Sequence, residues 1–313
     1  MTHPSHVSVV IPTRNGGRML ERLLDAIAVQ EGSIVPEIVA IDSGSTDGTV
    51  ELLRSRGATV LQVAPHSFNH GVSRNDALAR ASAELAVLIV QDAVPASRQW
   101  LRALIQPLLD DDKVAGSFAR QQPWPDASRL TVHHLTQWRG AQLEPRVTGP
   151  LTPDVFAAMP PSARHLACVF DNVCSCVRLS AWRQRPFRRT RIAEDLEWAL
   201  EVMFQGFRIA YAPAAAVWHS HERSAAYEFR RTYLVHQRLQ SLFGLSTVPS
   251  LGALVRAVGS SVPLHVRVAA REGRGRPRAV ARAAALAVAW PLGQYLGARA
   301  AREGRELMRV WDV

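Results

Sequence analysis

The stretch "VLIVQDAVP", Val87 to Pro95, runs four aliphatic residues into Gln91 and a lone carboxylate, Asp92. A continuous apolar run closed by a turn signal reads as a strand buried on both faces, as in parallel sheets covered by helices. A charge at the end of such a strand is costly unless it is paired or coordinates something. Taken alone, Asp92 equally fits a turn residue ahead of Pro95. The rest of the chain decides between the two.

Outward from this stretch, strand and helix patterns alternate from Val7 to Ala93. "VSVVI", "EIVAI", "ATVLQVA" and "LAVLIV" read as strands; "GRMLERLLDAIAVQ", "GTVELLRSRG" and "GVSRNDALARAS" read as helices between them. This alternation with short connections predicts an α/β fold with a mostly parallel sheet. Ligands of such sheets sit outside the carboxyl ends of the strands. The strand ends here carry Pro12, Thr13, Arg14 and Asn15, then Asp42, Ser43 and Gly44, then Gln91 and Asp92. All three sets are expected to face one crevice.

Composition sets the frame. The chain has 313 residues, 47% of them hydrophobic, enough for a large core or two domains. Cys168, Cys174 and Cys176 are odd in number and lack zinc-ligand spacing, which fits packed thiols in a reducing cytoplasm. No apolar run resembling a signal peptide precedes "VSVVIP", so a cytoplasmic location is expected. The net charge of +10 is uneven: residues 251–313 hold 11 Arg against 4 acidic residues. Lys113 is the sole lysine, so the arginine excess reflects a compositional bias and single arginines carry little weight. No nucleic-acid partner is expected.

In "DSGSTDGT" the Ser and Gly residues form a turn into the next helix, but Asp42 precedes that turn. Its carboxylate could accept from a nucleobase N–H or a ribose hydroxyl. The glycine spacing matches neither the dinucleotide fingerprint nor the P-loop, which disfavours hydride transfer and ATP hydrolysis. "FNHGVSRNDALA" puts Gly71, Arg74 and Asn75 at a helix start: either an exposed cap, or a diphosphate site using Arg74 and the free amides there.

The second half of the chain begins with long turn-rich connections, "QQPWPDASRL" and "EPRVTGPLTPDVFAAMPPSA", expected to cover an acceptor side. "IAEDLEWAL" then opens a helix with Glu194 and Asp195. One acid can serve the helix dipole while the other, pointing elsewhere, faces the crevice as a general base. "AAAVWHSHERS" ends a strand with His219 and His221, whose i, i+2 spacing places both imidazoles on one side. With a carboxylate and a bound diphosphate they could form a shell for Mn²⁺ or Mg²⁺.

Together, "VSVVIPTRNGG", "EIVAIDSGSTDGT", "FNHGVSRNDALA", "VLIVQDAVP", "FDNVCSCVR", "AEDLEWAL" and "VWHSHERS" resemble the inverting family 2 glycosyltransferases of GT-A fold, and within them bacterial rhamnosyltransferases. These segments span roughly the first 225 residues in the family's order. The resemblance implies that Asp92 is the kept acid of the Asp-x-Asp metal motif, which reads Val90-Gln91-Asp92 here. It implies further that His219, with His221 beside it, is a metal position, that Asp195 within the Glu194–Asp195 pair is the base, and that Asp42 binds the nucleobase. The donor expected from it is a nucleotide sugar, dTDP-L-rhamnose favoured, and the acceptor a saccharide or lipid-linked saccharide. A nucleotidyltransferase and a non-catalytic nucleotide-sugar-binding protein are the alternatives. The first usually needs a lysine-containing opening loop, absent from "PTRNGGRML", and retention of Asp195 and His219 opposes the second.

The expected organisation is a catalytic domain over residues 1–225, divided near 100 into nucleotide-binding and acceptor halves, and a basic helical extension over 226–313. In that extension "REGRGRPR" (Arg271–Arg278) precedes an apolar stretch interrupted by Arg282 and Pro291. Such a pattern suits lying on an anionic membrane, with Trp290 and Tyr295 near the headgroups, or packing on the catalytic domain.

Overall fold

The structure, a computed structural model, describes residues 6–32, 34–271 and 276–305. Nine strands form one sheet: β1 (His6–Thr13), β2 (Val35–Asp42), β3 (Thr59–Gln62), β4 (Leu85–Ile89), β5 (Val94–Pro95), β6 (Val114–Gln122), β7 (Arg146–Thr148), β8 (Cys174–Arg178) and β9 (Arg208–Trp218). Their order is β3-β2-β1-β4-β8-β6-β9-β5, with β7 added on β9. The first four run parallel, as the alternating pattern predicts. β8 then enters antiparallel between β4 and β6, while β6 and β9 are parallel to each other.

Strand pleating explains the two cores. Val7, Val9, Ile11, Val87 and Ile89 point to one face and pack with Leu20, Leu23, Leu24 and Ile27 of the helix Gly17–Ala28 and with Trp100 and Leu104 of the helix Trp100–Asp110. Val10, Val39, Ile41, Ala86 and Leu88 point to the other face, against Leu78, Trp198 and Met203. Every residue of β4 is buried, as its unbroken apolar run requires. β6, β5 and β7 are not evident from sequence pattern: "VAGSFARQQ" has no clean alternation because most of β6 is buried on both sides.

β5 is only two residues long, yet it sets the site. It pairs antiparallel with the end of β9, Val94 opposite Trp218, so the turn holding Asp92 lies beside His219.

Three helices follow β9: Ala225–Phe243, Leu251–Ala269 and Arg276–Arg302. Leu239 and Phe243 join the core around Trp198 and Tyr211, so the first is packed onto the sheet's helix layer. The third crosses it closely through Gly293 and Gly297; a Cβ on Gly297 would lie 2.2 Å from the Tyr233 carbonyl oxygen. Trp290 faces protein, its Nε1 donating to Glu228 at 3.2 Å and its ring lying 4.2 Å from that of His134, which corrects its expected place at lipid headgroups. Of the basic cluster Arg271–Arg278, residues 272–275 lie outside the described residues. Among the described residues no helix is long and apolar enough to cross a membrane.

Candidate active site

The carboxyl ends of β2, β1 and β4 lie side by side, with Thr13 opposite Asp42. Asp42 is fully buried. Its Oδ1 accepts from the Gly44 and Ser45 amides at 3.0 and 2.9 Å, and its Oδ2 from the Thr13 and Ser45 hydroxyls. A carboxylate offers about four acceptor directions, and this loop takes all of them. In this arrangement Asp42 orders its own loop, aided by Gly44 at a left-handed φ of 87°. Ser43 is likewise turned inward, its hydroxyl donating to the Thr13 carbonyl at 3.2 Å.

Gln91 also serves the scaffold. Its Nε2 donates to the Arg14 carbonyl at 3.0 Å while its Oε1 accepts from the Arg14 amide at 2.9 Å, tying the end of β1 to the turn after β4. Asn15, at a left-handed φ of 48°, accepts from the Thr46 amide at 2.9 Å. What remains exposed around this rim is Arg14, Asn15 and Gly44, with Pro12 half-buried.

The helix His70–Leu78 departs most from expectation. Arg74 is buried and its Nη1 pairs with Glu194 at 2.5 Å, so the arginine is committed to the acid and not held out toward a diphosphate. Asn75 is consumed as a bracket: its Nδ2 donates to the Phe187 carbonyl at 2.7 Å, and its Oδ1 accepts from Trp182 Nε1 at 2.8 Å and the Phe187 amide at 3.1 Å. Gly71 is needed because a Cβ there would meet the Arg188 carbonyl oxygen at 2.2 Å. The three predicted donor contacts thus fasten this helix to the segment leading into the acidic pair.

That pair opens the helix Glu194–Phe204 after Ala193, a non-glycine residue at φ 62°. Backbone strain of this kind persists where surrounding structure over-determines it and clusters at functional sites. Glu194 is turned inward to Arg74. Asp195 is half-buried, its Oδ2 accepting from the Asn172 amide at 3.2 Å and its Oδ1 from the Leu196 amide at 2.8 Å. Burial above all, with the negative charges of Glu194 and Asp171 adding to it, pushes its pKa up to about 8. The two adjacent acids are thereby divided, one paired with an arginine and one left, among the described residues, without a paired cation and with a raised pKa.

Asp92, His219 and His221 converge on one point, their ligand atoms all within 4.8 Å of one another. His219 Nε2 lies 3.7 Å from Asp92 Oδ1, His221 Nε2 lies 3.4 Å from Asp92 Oδ2, and the two Nε2 atoms are 3.0 Å apart. Burial is the main cause that brings the His219 pKa down to about 4 and lowers that of His221, so both rings are neutral at pH 7 and offer lone pairs. Two neutral imidazoles and a carboxylate fit a divalent transition-metal ion. His219 Nδ1 lies 2.8 Å from Gln121 Oε1, and Gln121 Nε2 donates to Asp171 at 2.6 Å. Gln121, Asp171 and Asn172 therefore belong to this region although sequence reasoning did not single them out. The available signal was a polar residue at the edge of an apolar strand: Gln121 is next to last in β6, and Asp171–Asn172 stand just before β8.

Residues 8–160 match the family model described as glycosyl transferase family 2. The chain is 29% identical over 233 residues to the O-antigen chain rhamnosyltransferase RfbN of Salmonella typhimurium, covering 72% of this chain and 70% of that protein. It is 26% identical over 234 residues to the O-antigen chain rhamnosyltransferase WbaN of Salmonella anatum, with the same shares covered, 72% and 70%. Among solved structures it is similar to the mannosyltransferase PcManGT of Pyrobaculum calidifontis in complex with GDP-Man and Mn²⁺, with a TM-score of 0.63 at 18% identity, covering 98% of this chain and 89% of that one. It is also similar to the glucosyl-3-phosphoglycerate synthase of Mycobacterium tuberculosis with Mn²⁺, UDP and glucosyl-3-phosphoglycerate, with a TM-score of 0.52 at 19% identity, covering 79% and 82%. Fold, family match and relatives agree: the chain carries a glycosyl transferase family 2 domain in a GT-A-like fold and resembles bacterial O-antigen rhamnosyltransferases.

Proposed function

We propose that this chain transfers L-rhamnose from a dTDP-linked donor to a hydroxyl of a saccharide or lipid-linked acceptor, with inversion at the anomeric carbon. The observation that carries the reading is the division of labour between a carboxylate poised as a base, Asp195, and a two-imidazole, one-carboxylate cluster apart from it. The rhamnosyl donor is supported by the two O-antigen chain rhamnosyltransferases among the relatives.

Asp195 takes the proton from the acceptor hydroxyl as that oxygen attacks the sugar; a pKa close to the working pH favours such a base. Glu194, held by Arg74, anchors the helix start that aims Asp195. Arg14, Asn15 and Gly44 line the donor rim, and Asp42 with Gln91 keep that rim in shape. Asp92, His219 and His221 would hold a divalent cation, which would supply positive charge to neutralise a departing diphosphate. Two imidazole donors suit Mn²⁺ better than Mg²⁺, which prefers oxygen ligands.

In this reading residues 1–225 are the catalytic unit and 226–313 an extension, whose described helices pack on it. The extension seats the enzyme on the inner face of the plasma membrane. Support comes from the helix Leu251–Ala269, which exposes Leu251, Val255 and Leu264 beside Arg256 and Arg267 and has no acidic residue.

The test is release of dTDP from dTDP-L-rhamnose with Mn²⁺ and a saccharide acceptor. Asp195→Asn is expected to keep donor affinity and lower turnover by roughly 10²- to 10⁴-fold. A variant that loses donor binding would place Asp195 in the donor pocket, and a clear preference for a UDP- or GDP-sugar would overturn the donor. Asp92→Ala and His219→Ala are each expected to weaken Mn²⁺-dependent donor binding, and the more exposed His221 less so. An unchanged Mn²⁺ titration in the first two would remove the metal assignment.

A further inference from the structure

His219 can bind a cation through Nε2 only if its proton sits on Nδ1, and the residues that impose this come from β6 and from the turn before β8. Gln121, at the end of β6, is buried and its amide lies between two partners. On one side Asp171 Oδ2 is 2.6 Å from Gln121 Nε2; on the other, His219 Nδ1 is 2.8 Å from Gln121 Oε1. Both Asp171 oxygens accept, from the Val173 amide and from the Gln121 NH₂. Burial pushes its pKa up, opposed by those hydrogen bonds and by the charges of Arg231 and Arg74, and in its ionised form it draws the NH₂ end of the amide. The carbonyl end is then left for His219, and a carbonyl accepts only from an N–H. The proton is forced onto Nδ1, and the Nε2 lone pair turns to Asp92 and His221.

We propose that Asp171 and Gln121 are positioning residues that fix the tautomer and orientation of His219 for cation binding. The proposal rests on the metal reading above. Hydrogen-bond partners behind a ligating histidine orient its ring and raise its basicity.

Asp171 is itself well held. Its Oδ1 accepts from the Val173 amide at 2.9 Å, in the turn that leads into β8. The next residue, Asn172, donates its amide to Asp195 at 3.2 Å and, through its side chain, hydrogen-bonds Glu194 at 3.4 Å and Ser175 at 2.9 Å. Two adjacent residues thus brace the proposed base and the proposed metal ligand. The insertion of β8 between β4 and β6 makes this possible, since it sets the 171–172 turn beside the ends of both strands.

The direction of the amide is the testable content. Asp171→Asn removes the obligate acceptor, so the Gln121 amide can face either way and His219 loses its imposed tautomer. Gln121→Leu removes the acceptor for Nδ1–H altogether. In the double variant Gln121→Glu/Asp171→Asn, the carboxylate installed at 121 accepts from His219 Nδ1–H while the amide installed at 171 donates to it. The chain of donors and acceptors is restored with its residues exchanged.

The experiment reads two quantities in purified full-length protein. The first is the His219 tautomer in metal-free protein, from ¹⁵N chemical shifts of labelled histidine assigned with His219→Gln. The second is Mn²⁺ affinity by calorimetry without donor. The wild type is expected to show the Nδ1–H form, both single variants to lose it, and their Mn²⁺ affinity to fall about 10- to 100-fold. The double variant is expected to return to within about threefold of wild type, the coupling of two groups in one network. An unchanged tautomer in Asp171→Asn, or a double variant no better than the worse single, would overturn the proposal. A wild type that binds no Mn²⁺ but shows the Nδ1–H form, lost in Asp171→Asn, would remove the metal reading and keep the tautomer control.

Discussion

At the scale of the residue, the site depends on how differently two neighbouring acids are treated. As the proposed base, Asp195 must be ionised to accept a proton, so turnover is expected to rise with pH and level off above an inflection near 8, where its pKa lies. The sign of the stability effect is the reverse. An acid whose pKa in the fold is raised from 3.8 binds its proton more tightly folded than unfolded, so its contribution is present below about pH 4 and lost as pH climbs through about 8. Asp195→Asn is therefore expected to melt higher than wild type at pH 9 and little differently at pH 4, a difference that thermal unfolding at the two pH values measures. Glu194 follows the opposite logic: Arg74→Leu strands a buried carboxylate and is expected to cost about 3–5 kcal/mol in denaturant unfolding, whereas Arg74→Leu with Glu194→Leu recovers most of it.

At the scale of the element, close helix crossing depends on missing side chains. Gly293 and Gly297 let the helix Arg276–Arg302 press its backbone onto Ala225–Phe243, with a Cβ on Gly293 meeting the Phe229 carbonyl oxygen at 2.9 Å. Gly297→Leu is expected to destabilise by at least about 1–3 kcal/mol, the cost of forcing volume into a packed interface. Gly259 supplies the contrast. It sits in the helix Leu251–Ala269 with nothing within 4 Å of its missing Cβ, so Gly259→Ala is expected to stabilise by up to about 1 kcal/mol through helix propensity alone. Urea denaturation of the two variants separates a packing glycine from an idle one.

At the scale of the whole molecule, the helical extension has an inner and an outer aspect. Its inner aspect is packed: Ala283 and Leu286 lie against Leu130, and the ring of His265 lies 4.6 Å from that of His134, joining the extension to the helix Arg129–Gln137. Its outer aspect shows Leu251, Val255, Leu264 and Val288 together with Arg256, Arg267 and Arg271. Exposed apolar side chains among cations fit the headgroup region of an anionic bilayer. The expected outcome is flotation with anionic liposomes that high salt releases and that Val255→Glu with Leu264→Glu abolishes. Flotation with neutral liposomes alone, or none, would leave this face as solvent-exposed surface.

Local pattern in the sequence determined the parallel strands β1 to β4, the helices between them, the acidic helix start and the histidines after β9. Each of these depends on which face of its own segment is buried, and a period of two or 3.6 records that directly. The conjunction of Asp92 with His219 was legible for the same reason, as polar residues that end apolar strands. Tertiary structure alone decided which polar groups are already satisfied. Arg74 finds Glu194 120 residues away and His219 finds Gln121 98 residues away, so no spacing announces either partner. Asp42, Arg74 and Asn75 look in sequence like groups awaiting a ligand, and in the fold they are filled by the protein. Gln121 reads in sequence as the start of a loop and Asp171 draws no notice, and in the fold both stand behind His219. Burial is imprinted on each segment's own periodicity, whereas hydrogen-bond saturation depends on what the rest of the chain brings to the same place.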